Sequence, residues 1–220
     1  VTTIGAHAFD GCTSLKKVIL PNGIEVLPKY LFHGCNSLKE IYNTEELKEI
    51  GEYAFAGCTD LEKFSGANNL QAIGDYAFYN CISLKAFMLG SELVSIGSYA
   101  FAGCTKLNGN LTITEKCTSI GAHAFHGCGS LSKVFLQCNK SAIGDGAFDG
   151  VEGPFHGKIA DGIEEWCKEN EKEFTNVDGT FKIHFSTSIV SDESFANDIY
   201  LTSGSYIEEP TIIKEGYALE

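Results

Sequence analysis

The chain has 220 residues, 44% of them hydrophobic, with 24 glycines, nine cysteines and a formal net charge of −13. That size and apolar content can bury a substantial core, while the acidic balance argues against nucleic-acid binding through phosphate neutralisation. There is no arginine for a bidentate clamp on phosphate or carboxylate, and no run of 18 apolar residues to insert into a membrane.

The chain opens on Val1-Thr2-Thr3-Ile4-Gly5, already inside a unit that recurs, so the expectation is a fragment of a longer protein. Aligning on I-G-x-x-A-F-x-G-C-x-x-L gives seven copies, starting at Ile4, Leu27, Ile50, Ile73, Ile96, Ile120 and Ile143, at steps of 23 residues with a single 24. The second copy is the loosest, with Pro28 and Leu31 where the others have Gly and Ala. A unit this short cannot close its own core and must be covered by the next copy. Leu15 leads into a strand with Val18 and Leu20 on one side and Lys17 and Ile19 on the other. Pro21-Asn22-Gly23 turns the chain, Ile24 and Leu27 point back inward, and the A-F pair is expected on a short helical or 3₁₀ turn. Stacked at about 4.8 Å per copy, seven copies span roughly 34 Å of parallel sheet.

Each motif position becomes a column. Phenylalanine recurs at Phe9, Phe32, Phe55, Phe78, Phe101, Phe125 and Phe148. Gly11, Gly34, Gly57, Gly103, Gly127 and Gly150 are matched by Asn80 in the fourth copy, which predicts a left-handed backbone there. Cys12, Cys35, Cys58, Cys81, Cys104 and Cys128 give way to Val151 in the seventh copy. Disulfide or metal chemistry competes here with a buried thiol. The thiol reading is favoured, because valine substitutes in the pattern and in-register stacking exceeds the Cβ separation of about 3.5–4.5 Å that a disulfide prefers. Cys117 falls in the column of Ile24, Leu47, Leu70 and Leu93 and also reads as core; Cys138 and Cys167 have no assigned place.

After Val151 the repeat dissolves and the charge turns strongly acidic, with 15 acids against 5 lysines. Residues 157–174 read as one amphipathic helix, with Ile159, Ile163, Trp166, Cys167 and Phe174 on its apolar side, capping the open core edge. Phe181-Lys182-Ile183-His184-Phe185 alternates as a strand, and Tyr200-Leu201 and Tyr206-Ile207 mark others.

The column pattern C-x-x-L-x-x-[V/I/F]-x-L followed by I-G-x-x-A-F resembles the Treponema-type, or BspA-like, leucine-rich repeat. The resemblance covers roughly residues 1–152 in seven successive copies. It implies an α/β leucine-rich-repeat solenoid, a right-handed arc with a concave parallel β-sheet. It also implies a surface or secreted bacterial protein concerned with adhesion and protein binding. The run from Ala160 to Asn170 resembles the helical ending of such arrays. Residues 206–220 are similar to a Listeria–Bacteroides repeat, a small β-grasp-like unit, truncated before its usual G-W-Y. The expected organisation is a solenoid over residues 1–152, a helical cap over 153–178 and a partial β module over 179–220.

No nucleophile elbow, HExxH helix or phosphate loop is present, so neither an enzymatic role nor a cofactor is expected. His123 and His126 are spaced as metal ligands can be. They also sit in the columns of His7, Tyr30, Tyr53, Tyr76, Tyr99 and of Asp10, His33, Ala56, Tyr79, Ala102, with no third ligand implied. They are expected as partly exposed, polar-tipped aromatics on the convex side. The sharper candidate is the outward strand column Ile19, Tyr42, Ser65, Met88, Thr112 and Phe135, where solvated positions would ordinarily be polar. Lys16, Lys17, Lys39, Lys63, Lys85 and Lys133 border it, with Glu40 and Glu62 nearby. A protein ligand is the expected partner of this face; a glycan stacking on it, or a purely structural spacer role, are the alternatives.

Overall fold

Each repeat forms one coil of a solenoid, so positions 23 residues apart lie one above the other. The computed structural model describes residues 3–64, 68–177, 180–183 and 199–202, the last two segments as backbone only. A coil has three sides, and each solves the same problem of pairing its backbone with the next coil.

On the first side the strands Lys17–Ile19 and Glu40–Tyr42 pair in parallel, continue through single bridges from Glu40 to Lys63 and Lys63 to Ala86, and widen again at Gly109–Ile113 and Leu131–Leu136. Between them the ladder is carried by the backbone bonds Lys39 to Lys16, Glu62 to Lys39, Lys85 to Glu62 and Asn108 to Lys85. The second side is a five-stranded parallel sheet, Val26–Leu27, Glu49–Ile50, Ala72–Ile73, Ser95–Ile96 and Ser119–Ile120, whose second residues are all buried. Period-two alternation sends one residue of each pair to the core and the other outward. The glycine that follows is needed for approach rather than for φ: a Cβ at Gly74 would lie 2.6 Å from the backbone nitrogen of Glu52 in the coil before.

On the third side the A-F pair, expected on a short helical or 3₁₀ turn, sits in successive turns with 3₁₀-type i→i−3 bonds that do not run on as a helix. The N–H groups of Tyr53, Phe55 and Gly57 donate to the carbonyls of Asp75, Ala77 and Tyr79 in the next coil, while those of Ala54, Ala56 and Cys58 donate back to Gly51, Tyr53 and Phe55. Alternate donors therefore serve two partners, which a helix cannot do. Left-handed residues make the alternation possible, at φ 54 for Tyr53 and φ 75 for Gly57. The expected left-handed column is present throughout, from Gly11 at φ 69 to Gly150 at φ 74, and includes Asn80 at φ 57.

Inside, the phenylalanines from Phe9 to Phe148 form one continuous stack, with successive centroids 5.1–5.4 Å apart. All but Phe9, which is 40% exposed, are buried. Stacked aromatic pairs contribute about 0.5–1.5 kcal/mol beyond their area burial. In the middle coils Phe64 and Phe87 stack on each other at 5.2 Å and meet the column edge-on.

Residues 157–174 are not one helix. The first sheet takes up two further parallel strands, Phe155–Gly157 against Leu131–Leu136 and Phe174–Asn176 against Phe155–Gly157. Between them lie a 3₁₀ turn, Ile159–Asp161, and a seven-residue α-helix, Ile163–Glu169, separated by Gly162 at φ 75. The apolar spacing of Ile159, Ile163, Trp166 and Cys167 is shared between turn and helix, and so reads in the sequence as one longer element. The helix still covers the core end: Trp166 and Phe155 present their rings to Phe148 at 5.8 and 5.4 Å, close to perpendicular, ending the parallel stack. Lys172 Nζ donates to the Val151 carbonyl at 2.9 Å, and Lys140 pairs with Glu165, tying this cap to the last coil. Beyond it, Thr180–Ile183 and Ile199–Thr202 form an antiparallel pair. The strand expected at Tyr206-Ile207 and the truncated module over 206–220 lie outside the described residues.

Candidate binding surface

The outer face of the first sheet collects the predicted column. Ile19 pairs in register with Tyr42, and Thr112 with Phe135. Ile19 is 65% exposed, Tyr42 42% and Met88 75%, and Thr112 is exposed beside them. Large apolar groups held this open are unusual on a solvated sheet face. Phe135 differs. It is only half-exposed, because the register continues into Phe155–Gly157 and His156 stacks on its ring at 4.6 Å. Ser65 lies outside the described residues.

The lysine border is less uniform than its spacing implies. Lys17 Nζ sits 4.4 Å from the centroid of the Tyr42 ring, a cation–π contact that ties the two predicted residues together. The Tyr42 hydroxyl donates to Glu40 at 2.9 Å, which raises its pKa by holding the proton on the phenol. Lys85 is committed to Glu62 at 2.7 Å, and the Glu62 carboxyl is held below its ordinary pKa by that bond. Lys39, Lys63 and Lys133 are exposed and form no ion pair among the described residues. Among the described residues the unpaired positive charge of this border is therefore carried by those three together with Lys16 and Lys17.

The cysteine column faces inward. The Sγ atoms of Cys35, Cys58, Cys81, Cys104 and Cys128 donate to the carbonyls of Phe9, Phe32, Phe55, Phe78 and Phe101 at 3.0–3.2 Å, each reaching one coil back. Burial pushes Cys35 up to about 11 and Cys128 up to about 12, and raises Cys58, Cys81 and Cys104 as well. Cys138 and Cys167 find their places here too, both buried and both pushed up to about 12. Only Cys12, in the first coil, is exposed. Thiols that stay protonated are poor nucleophiles and poor ligands, which fits packing rather than chemistry.

On the third side an aromatic column stands outside the backbone ladder. His7, Tyr30, Tyr53, Tyr76, Tyr99 and His123 stack at 4.6–5.0 Å, all with φ between 54 and 59. His123 and His126 both lie on this side, His123 partly exposed and His126 exposed, and a third possible donor that the column alignment did not imply stands beside them. Asp149, one coil on from His126, brings its carboxylate within 4.8 Å of a nitrogen of each ring. The signal was present in the sequence, since Asp149 is His126 plus one 23-residue step.

The sequence matches the BspA type Leucine rich repeat region in six copies, over residues 1–108, 27–152 and 71–202. No curated protein matches it. Among solved structures, a leucine-rich repeat protein of T. pallidum is 24% identical over 73% of this chain and 86% of its own, with a TM-score of 0.60. A leucine-rich repeat protein of Bacteroides ovatus is 22% identical over 71% of this chain, with a TM-score of 0.46. A leucine rich cell surface protein of Faecalibacterium prausnitzii is 18% identical over 66%, with a TM-score of 0.47. This chain spans 59% and 55% of the lengths of those last two. With the repeat matched from residue 1 through 152 and the coil geometry that it requires in place, the chain belongs to the BspA-type leucine-rich repeat family.

Proposed function

We propose that the chain is a recognition module of a surface or secreted protein, binding a protein partner through the outer face of its first sheet rather than performing catalysis. The observation that carries this reading is the exposure of Ile19, Tyr42 and Met88 along one ordered face. Burying such side chains against a partner contributes about 25 cal/mol per Å² of apolar area removed from water. Their rigid spacing lowers the ordering cost that flexible loops incur on binding. Lys17, Lys39, Lys63 and Lys133 around them favour a partner surface with carboxylates at its rim. Family membership supports the extracellular setting.

The test replaces Ile19, Tyr42 and Met88 together with serine and measures binding to a panel of purified extracellular proteins and to a glycan array. Capture of a protein that falls at least tenfold in the triple variant, with an unchanged thermal midpoint, supports the reading. Capture that survives the substitutions overturns it. Binding on the glycan array alone assigns the face to carbohydrate, and silence in both assays assigns the chain to a spacer role.

A further inference from the structure

The outer aromatic column ends in a way that its interior does not foretell. From His7 to Tyr99 each ring is covered by the ring of the next coil, with interplanar angles of 5–8°. The coil after His123 has Gly146 in that position, left-handed like the others at φ 60 but without a ring. His123 responds. Its ring is tilted 31° from Tyr99, out of the parallel stack. The space it enters is the space a side chain at Gly146 would fill: a Cβ there would lie 2.6 Å from His123 Nδ1 and 2.7 Å from Asp149 Oδ2.

His123 and Asp149 border that space, and the His126 ring stands beside His123 at 5.7 Å. His123 Nδ1 is 3.8 Å from Asp149 Oδ2, and one donor atom each from His123, His126 and Asp149 lie within 4.8 Å of one another. Tetrahedral zinc, with bonds of about 2.0–2.2 Å to nitrogen and oxygen, holds neighbouring donors about 3.3 Å apart. The spacing here is somewhat wider, and His126 and Asp149 are exposed, so side-chain rotation alone can close it. Two imidazoles and one carboxylate, with room left for water, are a borderline donor set that suits a divalent transition metal better than calcium or magnesium.

The opposite end of the same column supplies a contrast within the molecule. His7, Asp10 and His33 bring the same residue types together in the same columns. There the carboxylate lies between the rings, Oδ2 at 2.9 Å from His7 Nδ1 and Oδ1 at 2.9 Å from His33 Nδ1, and the Tyr30 ring covers His7 at 4.6 Å. The Nδ1 atom of each ring is engaged by the same carboxylate, and the next position of the column is Tyr30 rather than a glycine. The composition is shared; the opening is not.

We propose that His123, His126 and Asp149 form a surface binding site for a divalent transition-metal ion of the zinc type, opened by Gly146. The test titrates the tag-free 220-residue chain, stripped of metal with a chelator, with zinc by calorimetry and with cobalt(II) by absorption. One equivalent bound is expected. His126→Ala and Asp149→Asn should each weaken binding at least tenfold, while His33→Ala, at the other end of the column, leaves it unchanged. Cobalt should show the weak bands of nitrogen and oxygen donors without intense thiolate charge transfer, which separates the site from the exposed Cys12. Absence of binding at millimolar zinc, unchanged affinity in both variants, or a thiolate spectrum would each overturn the proposal. Thermal midpoints of the apo variants matching the parent confirm that lost affinity reports lost ligands.

Discussion

Two aromatic columns run the length of this solenoid, one buried and one outside, and they are built by the same 23-residue period. The inner column is phenylalanine in every coil, with centroids 5.1–5.4 Å apart. The outer column stacks slightly closer, at 4.6–5.0 Å, yet passes from histidine through four tyrosines to histidine and then to glycine. Stacking distance is set by the coil rise and is nearly the same for both. Burial differs, and burial decides what each column can give up. From Phe32 to Phe148 the inner rings are buried, whereas the outer rings stay partly exposed, touching the rings above and below and, in several coils, a ring beside them.

The contrast breaks first if the inner column tolerates a gap. Phe78 is fully buried and meets Phe55, Phe64, Phe87 and Phe101 at 5.0–5.3 Å. Removing its ring leaves a cavity that those rigidly stacked neighbours cannot collapse into. Phe78→Ala should lower stability by about 3–5 kcal/mol, read from equilibrium urea denaturation followed by circular dichroism. A loss under about 1 kcal/mol would mean that the coils slide to fill the space.

The columns were legible in the sequence for a specific reason. In-register parallel stacking converts a fixed period into spatial contact, so one alignment yields the phenylalanine, cysteine and left-handed glycine rows together. Asn80 at φ 57 shows that even the backbone conformation could be inferred. Legibility failed where contact runs between columns rather than along one. The meeting of His123, His126 and Asp149 needs two columns and a coil step at once. It failed again after Val151, where Phe155–Gly157 extends the sheet without any repeat motif and leaves Phe135 partly covered by His156. Periodicity also could not separate the 3₁₀ turn from the following helix, because Gly162 interrupts the backbone without interrupting the apolar spacing. On the outer face of the first sheet, the exposure of Ile19 and Met88 followed from strand alternation. The cation–π contact of Lys17 and the ion pair of Lys85 depend on side-chain reach, which a column alignment does not encode.

A smaller effect sharpens the comparison from the outer side. Tyr76 stacks between Tyr53 and Tyr99 at φ 56, so it gains from its neighbours while carrying backbone strain. Tyr76→Ala loses the stacking and keeps the strain; Tyr76→Gly loses the stacking and releases the strain. The alanine variant should be destabilised by about 1–2 kcal/mol, and the glycine variant should be about 1 kcal/mol more stable than the alanine one. Both fall well short of Phe78→Ala. Equal stability of the two variants would remove backbone strain as a feature of this column, and Gly146 would then owe its place to the space it leaves alone.

The smallest effect concerns the first end of the outer column and has a definite sign. Asp10 accepts hydrogen bonds from His7 and His33, which hold its carboxyl below the ordinary value of 3.8, His7 contributing most. A carboxylate whose folded pKa is depressed contributes stability that is fully present above its unfolded pKa and lost as pH falls through the folded one. The contribution of Asp10 is therefore present above about pH 4 and disappears below it. Because the group is solvent-accessible, the contribution stays under about 1 kcal/mol and weakens with salt. Asp10→Asn should lower the thermal midpoint slightly at pH 6 in low salt, and by less at pH 2.5. In 1 M salt the difference at pH 6 should shrink towards zero. A variant equally destabilised at pH 2.5 and pH 6 would show that Asp10 acts through packing, and that the two ends of the outer column differ in more than their electrostatics.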